Sequence, residues 1–200
     1  EMLRSLVGSE MCIRDSIQVE ADVDSEYDYE LLGYITPKKM GQAYHCPVFN
    51  GLSKQTTSEQ LMDLGTQLNI HGIVPMFHVV GVTPEAADVH TAFLGRKDPP
   101  VVTITNEDLA QARAEISAGT GKADFCILGC PHLTINQVGS IAKMLDGQQL
   151  AGQLYIFTST STKELAQRMG YLDIIHKAGG EIVINSCVDQ PCWSHLYGMS

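Results

Sequence analysis

Three short polar segments, each directly after an apolar run of strand character, hold the residues whose types could do chemistry. They are Gly129-Cys130-Pro131-His132 after Asp124–Leu128, Thr158-Ser159-Thr160-Ser161 after Leu154–Phe157, and Asn185-Ser186-Cys187 after Glu181–Ile184. Thiolates at Cys130 and Cys187 are soft ligands that suit iron, and sulfurs arriving from separate loops can share an iron–sulfur cluster. Two single cysteines far apart in sequence lack the local C-x-x-C pattern, so buried structural thiols are a competing reading. A third is a cysteine nucleophile, with Cys130 activated by His132. For His132 alone, a proton-transferring group and an orienting or core histidine both fit. The hydroxyls of Ser159 and Thr160 suit either an anion at a helix start or simple helix capping.

A fourth segment follows the run Ile73–Val80. His78 lies inside it and reads as a satisfied structural histidine or a substrate contact. Beyond it, Glu85 could take a proton, hold an ammonium or cap a helix start, and Thr83 could donate a hydrogen bond to a carboxylate. The basic loop Gly95-Arg96-Lys97 could meet an anion or be merely solvated.

These residues need elements to position them. Thr57 begins a helix with Leu61, Leu64 and Leu68 at helical spacing, and Gly72 ends it. Ile73–Val80 reads as a buried strand, with Pro75 marking its start or an edge. A regular alternation follows: strand Val101–Ile104, helix Asn106–Ser117, strand Asp124–Leu128, helix to Leu145, strand Leu154–Phe157, helical pieces Lys163–Met169 and Leu172–Lys177, strand Glu181–Ile184. Alternation of this kind predicts an α/β fold with a mostly parallel sheet flanked by helices, in which ligands gather at the carboxyl ends of strands. Ile17–Leu52, punctuated by Pro37, Gly41, Pro47 and Gly51, reads mostly as loop. Cys126 reads as a core thiol and Cys46 as packing.

Composition excludes several classes. The net charge of −10 argues against a duplex-DNA footprint. There is no apolar run of about 20 residues to span a membrane. Six cysteines at irregular spacings do not form a secreted disulfide framework, so a cytoplasmic location is expected. Residues 1–16 resemble translated sequencing-adapter read-through and are set aside from the fold, with the expectation that they pack against nothing and that Cys12 drops out of the count. The remainder divides into 17–98 and a Rossmann-like part at 99–200.

Three segments together resemble one family in order: Phe77-His78-Val79-Val80-Gly81-Val82-Thr83-Pro84-Glu85-Ala86, Leu128-Gly129-Cys130-Pro131-His132-Leu133-Thr134 and Ile184-Asn185-Ser186-Cys187. They are similar to the catalytic large subunit of aconitase X, although the family's usual Asp-Thr-Cys stands here as Asn185-Ser186-Cys187 and its usual Glu as Gln137. The resemblance implies an aconitase-like three-layer αβα fold and a hydro-lyase with an iron–sulfur cluster, [4Fe-4S] or [2Fe-2S], held by Cys130 and Cys187. It places a third cysteine in an upstream Thr-Cys-x-Pro-Tyr segment that the chain lacks, with Cys192 as a rival. It further implies His132, Glu85 and Thr83 as catalytic residues and His78, Ser159 and Thr160 as substrate contacts. A small swivelling subunit or fused domain completes the site, so this piece is expected to be inactive alone. The implied substrate is a small hydroxy acid: cis-3-hydroxy-L-proline, favoured because the visible loops hold few basic residues, or phosphomevalonate. A metal-free Rossmann-like binding domain remains the reading from another class.

Overall fold

The computed structural model describes residues 14–41, 45–95, 99–117, 119, 121 and 125–188, and the chain divides into two compact units between Gly119 and Thr120. In the first unit four parallel strands lie in the order β3-β2-β1-β4: β1 (Arg14–Val19), β2 (Cys46–Asn50), β3 (His78–Val79) and β4 (Val101–Ile104). Period-two alternation along the strands sends Ile17, Val19, Phe49, Val79 and Ile104 to one face. There they meet Leu31, Leu32 and Ile35 of α1 (Glu26–Met40), Leu64 and Leu68 of α2 (Ser58–Gly72), and Leu109 and Ala112 of α4 (Asn106–Ile116). Val48 faces the other way, toward Ala86 of the 3-10 turn Pro84–Ala86, Ala92 of α3 (Val89–Ala92) and Phe93.

Two expectations fail in this unit. Residues 17–52 are not loop but the run β1-α1-β2. The helix α1 has reciprocal Ser25–Asp28 capping, yet its buried positions Leu31, Leu32, Gly33, Ile35, Thr36 and Pro37 are nearly continuous, so no one-sided stripe announces it. Gly33 permits the fit, since a Cβ there would stand 2.7 Å from Gln67 Cβ and from the Leu64 carbonyl oxygen of α2. The long strand expected over 73–80 shrinks to His78–Val79. Helix α2 ends on a left-handed Ile73 (φ 52°), and Pro75 two residues on cannot donate to a ladder.

Arg14, Asp15 and Ser16 correct the adapter expectation at its boundary. They pair with Cys46, Pro47 and Val48, and the buried Asp15 accepts from His45 Nδ1 at 2.7 Å. Residues 1–13 lie outside the described residues. Beyond residue 98, β4 pairs with β1 and α4 packs on α1 within the first unit.

The second unit holds β5 (Phe125–Leu128), β6 (Gln153–Thr158) and β7 (Gly180–Ile184), adjacent and parallel in the order β5-β6-β7 as the alternation predicts. Helices α5 (Ile135–Leu145), α6 (Thr160–Arg168) and α7 (Tyr171–Ala178) pack one face through Val138, Ala142, Ala166, Leu172 and Ile175 against Leu154, Ile156 and Ile182. Among the described residues no helix is long and apolar enough to cross a membrane.

Candidate functional site

In the second unit the three strand exits all open at the carboxyl edge of one sheet, which places the segments bearing Cys130, Ser159–Thr160 and Cys187 side by side. Cys130 follows β5 and Cys187 follows β7, with β6 between them. On ordinary strand spacing the two exits stand about 10 Å apart. Cys130 is half-buried and Cys187 exposed. Their loops are joined directly: His132 Nε2 donates to the Ser186 carbonyl at 2.8 Å, next to Cys187. Since a carbonyl only accepts, the proton sits on Nε2, and Nδ1 is the ring nitrogen left to other partners.

The first of these loops is shaped by Gly129, whose φ is 130°. A Cβ at this position would lie 2.6 Å from both Cβ and the carbonyl oxygen of Phe157, so only glycine lets the Cys130 loop pass that close to β6. Leu133 N–H donates to the Phe157 carbonyl at 3.0 Å, and Thr158 Oγ1 donates to the Leu133 carbonyl at 2.6 Å. The site residues are thus seated on β6 by backbone bonds.

The hydroxyls after β6 divide in role. Ser159 caps α6, accepting from Thr162 N–H at 3.1 Å while sharing hydrogen bonds with the Ser161 and Thr162 hydroxyls. Thr160 Oγ1 reaches across to Asn185 Oδ1 at 3.2 Å. Asn185 is a residue the sequence reading treats only as part of a motif. It turns the chain at a left-handed φ of 57°, a conformation in which asparagine is enriched, so an asparagine directly after a strand is the signal that could have marked it.

The remaining candidates belong to the first unit. Thr83 Oγ1 accepts from Val79 N–H at 3.0 Å and donates to the Val79 carbonyl at 3.2 Å, so this hydroxyl braces the turn after β3. Glu85 is exposed on the 3-10 turn that this bracing holds. His78 is buried at 3% exposure, but the satisfied histidine expected from sequence is not found: neither ring nitrogen has a hydrogen-bond partner among the described residues. Burial, aided by the Arg14 charge and opposed by Glu85, lowers its pKa from 6.5. Between 6.5 and that lower value an unfolded chain binds a proton the folded one refuses, so stability falls as pH drops through this range. His78→Leu should therefore stabilise the first unit by about 1–2 kcal/mol, and by more at pH 5 than at pH 8. Urea denaturation at the two pH values checks this, and a variant less stable at both would show that the ring is satisfied after all.

Cys46 is buried, as expected of a packing residue, whereas Cys126 is exposed and not the core thiol expected. Position 126 lies beside Leu154 on the helix-covered face, but on the edge strand β5 the described residues leave it uncovered. Cys192, Arg96 and Lys97 lie outside the described residues.

Known proteins share this fold. Residues 11–114 match the family model for the aconitase X second domain and residues 123–199 that for the third domain. The phosphomevalonate dehydratase large subunit of Methanothermobacter thermautotrophicus is 33% identical over 88% of the chain and 42% of its own length. The cis-3-hydroxy-L-proline dehydratase of Pseudomonas aeruginosa is 32% identical over 88% of the chain and 31% of its own length. A crystal structure of Thermococcus kodakaraensis aconitase X, in holo form, superposes with a TM-score of 0.79 at 29% identity, over 90% of the chain and 45% of that protein. The chain therefore spans less than half the length of these relatives. With two domain models covering nearly all of it in order, the chain belongs to the aconitase X family.

Proposed function

We propose that this chain is the cluster-holding part of a hydro-lyase that removes water from a small hydroxy acid. The observation that carries the reading is the His132–Ser186 bond, which joins the loops of Cys130 and Cys187 at one sheet edge. The fit to an iron–sulfur group rests on the donor set: two soft sulfurs on loops joined at one sheet edge, with no carboxylate in those loops. Among the described residues no three His, Cys, Asp or Glu side chains converge as a metal site, so further ligation comes from outside them. Such a cluster, when bound, supplies a Lewis-acidic iron for the substrate hydroxyl.

The chain's own residues have separate tasks. Cys130 and Cys187 hold the group. With Nε2–H held on the Ser186 carbonyl, Nδ1 of His132 first takes up a proton and the imidazolium so formed passes it to the departing hydroxyl, while Thr160 with Ser159 offers hydroxyls to a carboxylate. In the first unit Glu85 is the base for the α-proton, Thr83 fixes the turn that carries it, and His78 contributes nitrogens that lack partners among the described residues. A small-subunit partner follows from the relatives named large subunits.

The proposed substrate is cis-3-hydroxy-L-proline, with phosphomevalonate second. Residues 129–134, 158–162 and 185–188 contain no arginine or lysine, and Lys163 just beyond is tied to the Ile182 carbonyl at 3.1 Å. A phosphate would call for cationic donors in these loops. The whole protein with its partner, reconstituted anaerobically with iron and sulfide, should gain visible absorbance and dehydrate the hydroxyproline. No absorbance after reconstitution would refute the cluster, and turnover of phosphomevalonate alone would reverse the substrate order.

A further inference from the structure

We propose that His132 and Thr160 form a two-point clamp on the turn that carries Cys187, fixing its sulfur relative to Cys130. This deepens the cluster reading above and rests on it. The turn leaves β7 at Ile184 and reverses through Asn185 at φ 57°. Thr160 Oγ1 donates to the Asn185 side-chain oxygen at 3.2 Å, and His132 Nε2 donates to the backbone carbonyl of the next residue at 2.8 Å. One bond thus comes from the exit of β6, the strand next to β7, and the other from the exit of β5 beyond it.

Both anchors are themselves fixed. Leu133, beside His132, is bonded to β6 through its N–H and its carbonyl, and Gly129 lets that loop sit against Phe157. Thr160 opens α6 directly after the Ser159 cap. A run of bonds therefore reaches from the Cys130 loop through β6 to the Cys187 turn. Asn185 and Cys187 are exposed, and the two bonds hold the turn together with Val188, which packs against Tyr155, Phe157 and Val183. Groups that orient a ligand in this way commonly set metal affinity by about 10–100-fold. His132 and Thr160 are accordingly positioning residues for Cys187, whatever Nδ1 of His132 does for the substrate.

The test uses the whole protein with its partner subunit and two readouts. In the metal-free form, iodoacetamide labelling of Cys187 is followed by peptide mass spectrometry, with exposed Cys126 as internal reference. In the loaded form, bleaching of the visible absorbance by an iron chelator is timed. His132→Ala and Thr160→Val should each raise Cys187 labelling relative to Cys126, and each should speed bleaching about 10-fold. His132→Gln and Thr160→Ser keep a donor and should return both rates toward wild type. Labelling and bleaching within twofold of wild type in both disabling variants would overturn the clamp, as would His132→Gln behaving like His132→Ala. If the wild-type protein takes up no cluster, the functional reading falls, and the clamp is judged on labelling alone.

Discussion

Replacing Cys130 or Cys187 with alanine in the whole protein should remove the visible absorbance of the reconstituted enzyme and, with it, dehydration. Each sulfur is a donor that no neighbouring residue in its loop can replace: Gly129, Pro131 and His132 flank the first, and Ser186 and Val188 the second. A hydroxyl or imidazole would be a harder ligand than a thiolate. Loss of one of few cluster ligands should therefore cost orders of magnitude, not a fraction. Folding should survive, because Cys187 is exposed and Cys130 lies in a loop seated by backbone bonds of Leu133 rather than by its own packing. Cys126→Ala is the control. Exposed on β5, it should change neither absorbance nor rate. Iron content, absorbance and turnover measured on the three variants decide the matter, and a Cys130→Ala protein that kept cluster and activity would make the assignment wrong even within the right family.

The sequence made the second unit readable for a physical reason that the first unit lacks. Around β5, β6 and β7 each strand is a short apolar run bounded by turn residues, and α5 carries its Thr134–Gln137 capping box in plain view. Alternation then dictates parallel neighbours, and the carboxyl-edge rule locates Cys130, Thr160 and Cys187 without any coordinates. In the first unit α1 is buried on nearly every side and holds Pro37, so its pattern looks like neither a one-sided helix nor a strand. Short β3 was hidden by apolar neighbours whose backbone is turned aside at Ile73 and Pro75.

Site residues divide along the same line. A cysteine after a strand can be found from its type and place, whereas Ser186 acts through a backbone carbonyl that any residue would provide, and its partner His132 lies far off in sequence. Thr83 was legible as a hydroxyl beside a turn but not as one already spent on Val79, because that depends on how tightly the turn closes. Hydrogen bonds made across strand exits are tertiary facts, and periodicity carries no trace of them.

Asp63 presents the opposite difficulty: a charged residue on a helix is ordinarily assigned to solvent. Instead it is 3% exposed on α2, while Leu61, expected in the apolar stripe, is only partly buried. Burial first, then the charges of Glu30, Glu26 and Glu59, push the Asp63 carboxyl up from 3.8 to about 7, and Glu30 is itself raised by burial and Glu26. Between pH 4 and 7 the unfolded chain has released this proton while the folded chain retains it. The folded state binds more protons there, so stability falls as pH rises across that window and levels off above about 7. The interval amounts to about 4 kcal/mol at most, and water on the Glu26 and Glu59 side brings the expected value to about 2–4 kcal/mol. Asp63→Asn keeps the shape and removes the charge. It should leave stability at pH 4 nearly unchanged and raise it by about 2–4 kcal/mol at pH 8, so the gap between variant and wild type opens with pH. Urea denaturation followed by far-ultraviolet circular dichroism at several pH values measures that gap. A gap that stays constant from pH 4 to 8 would mean that Asp63 is ionised in the fold throughout, and that α1 and α2 hold its charge by some contact other than a retained proton.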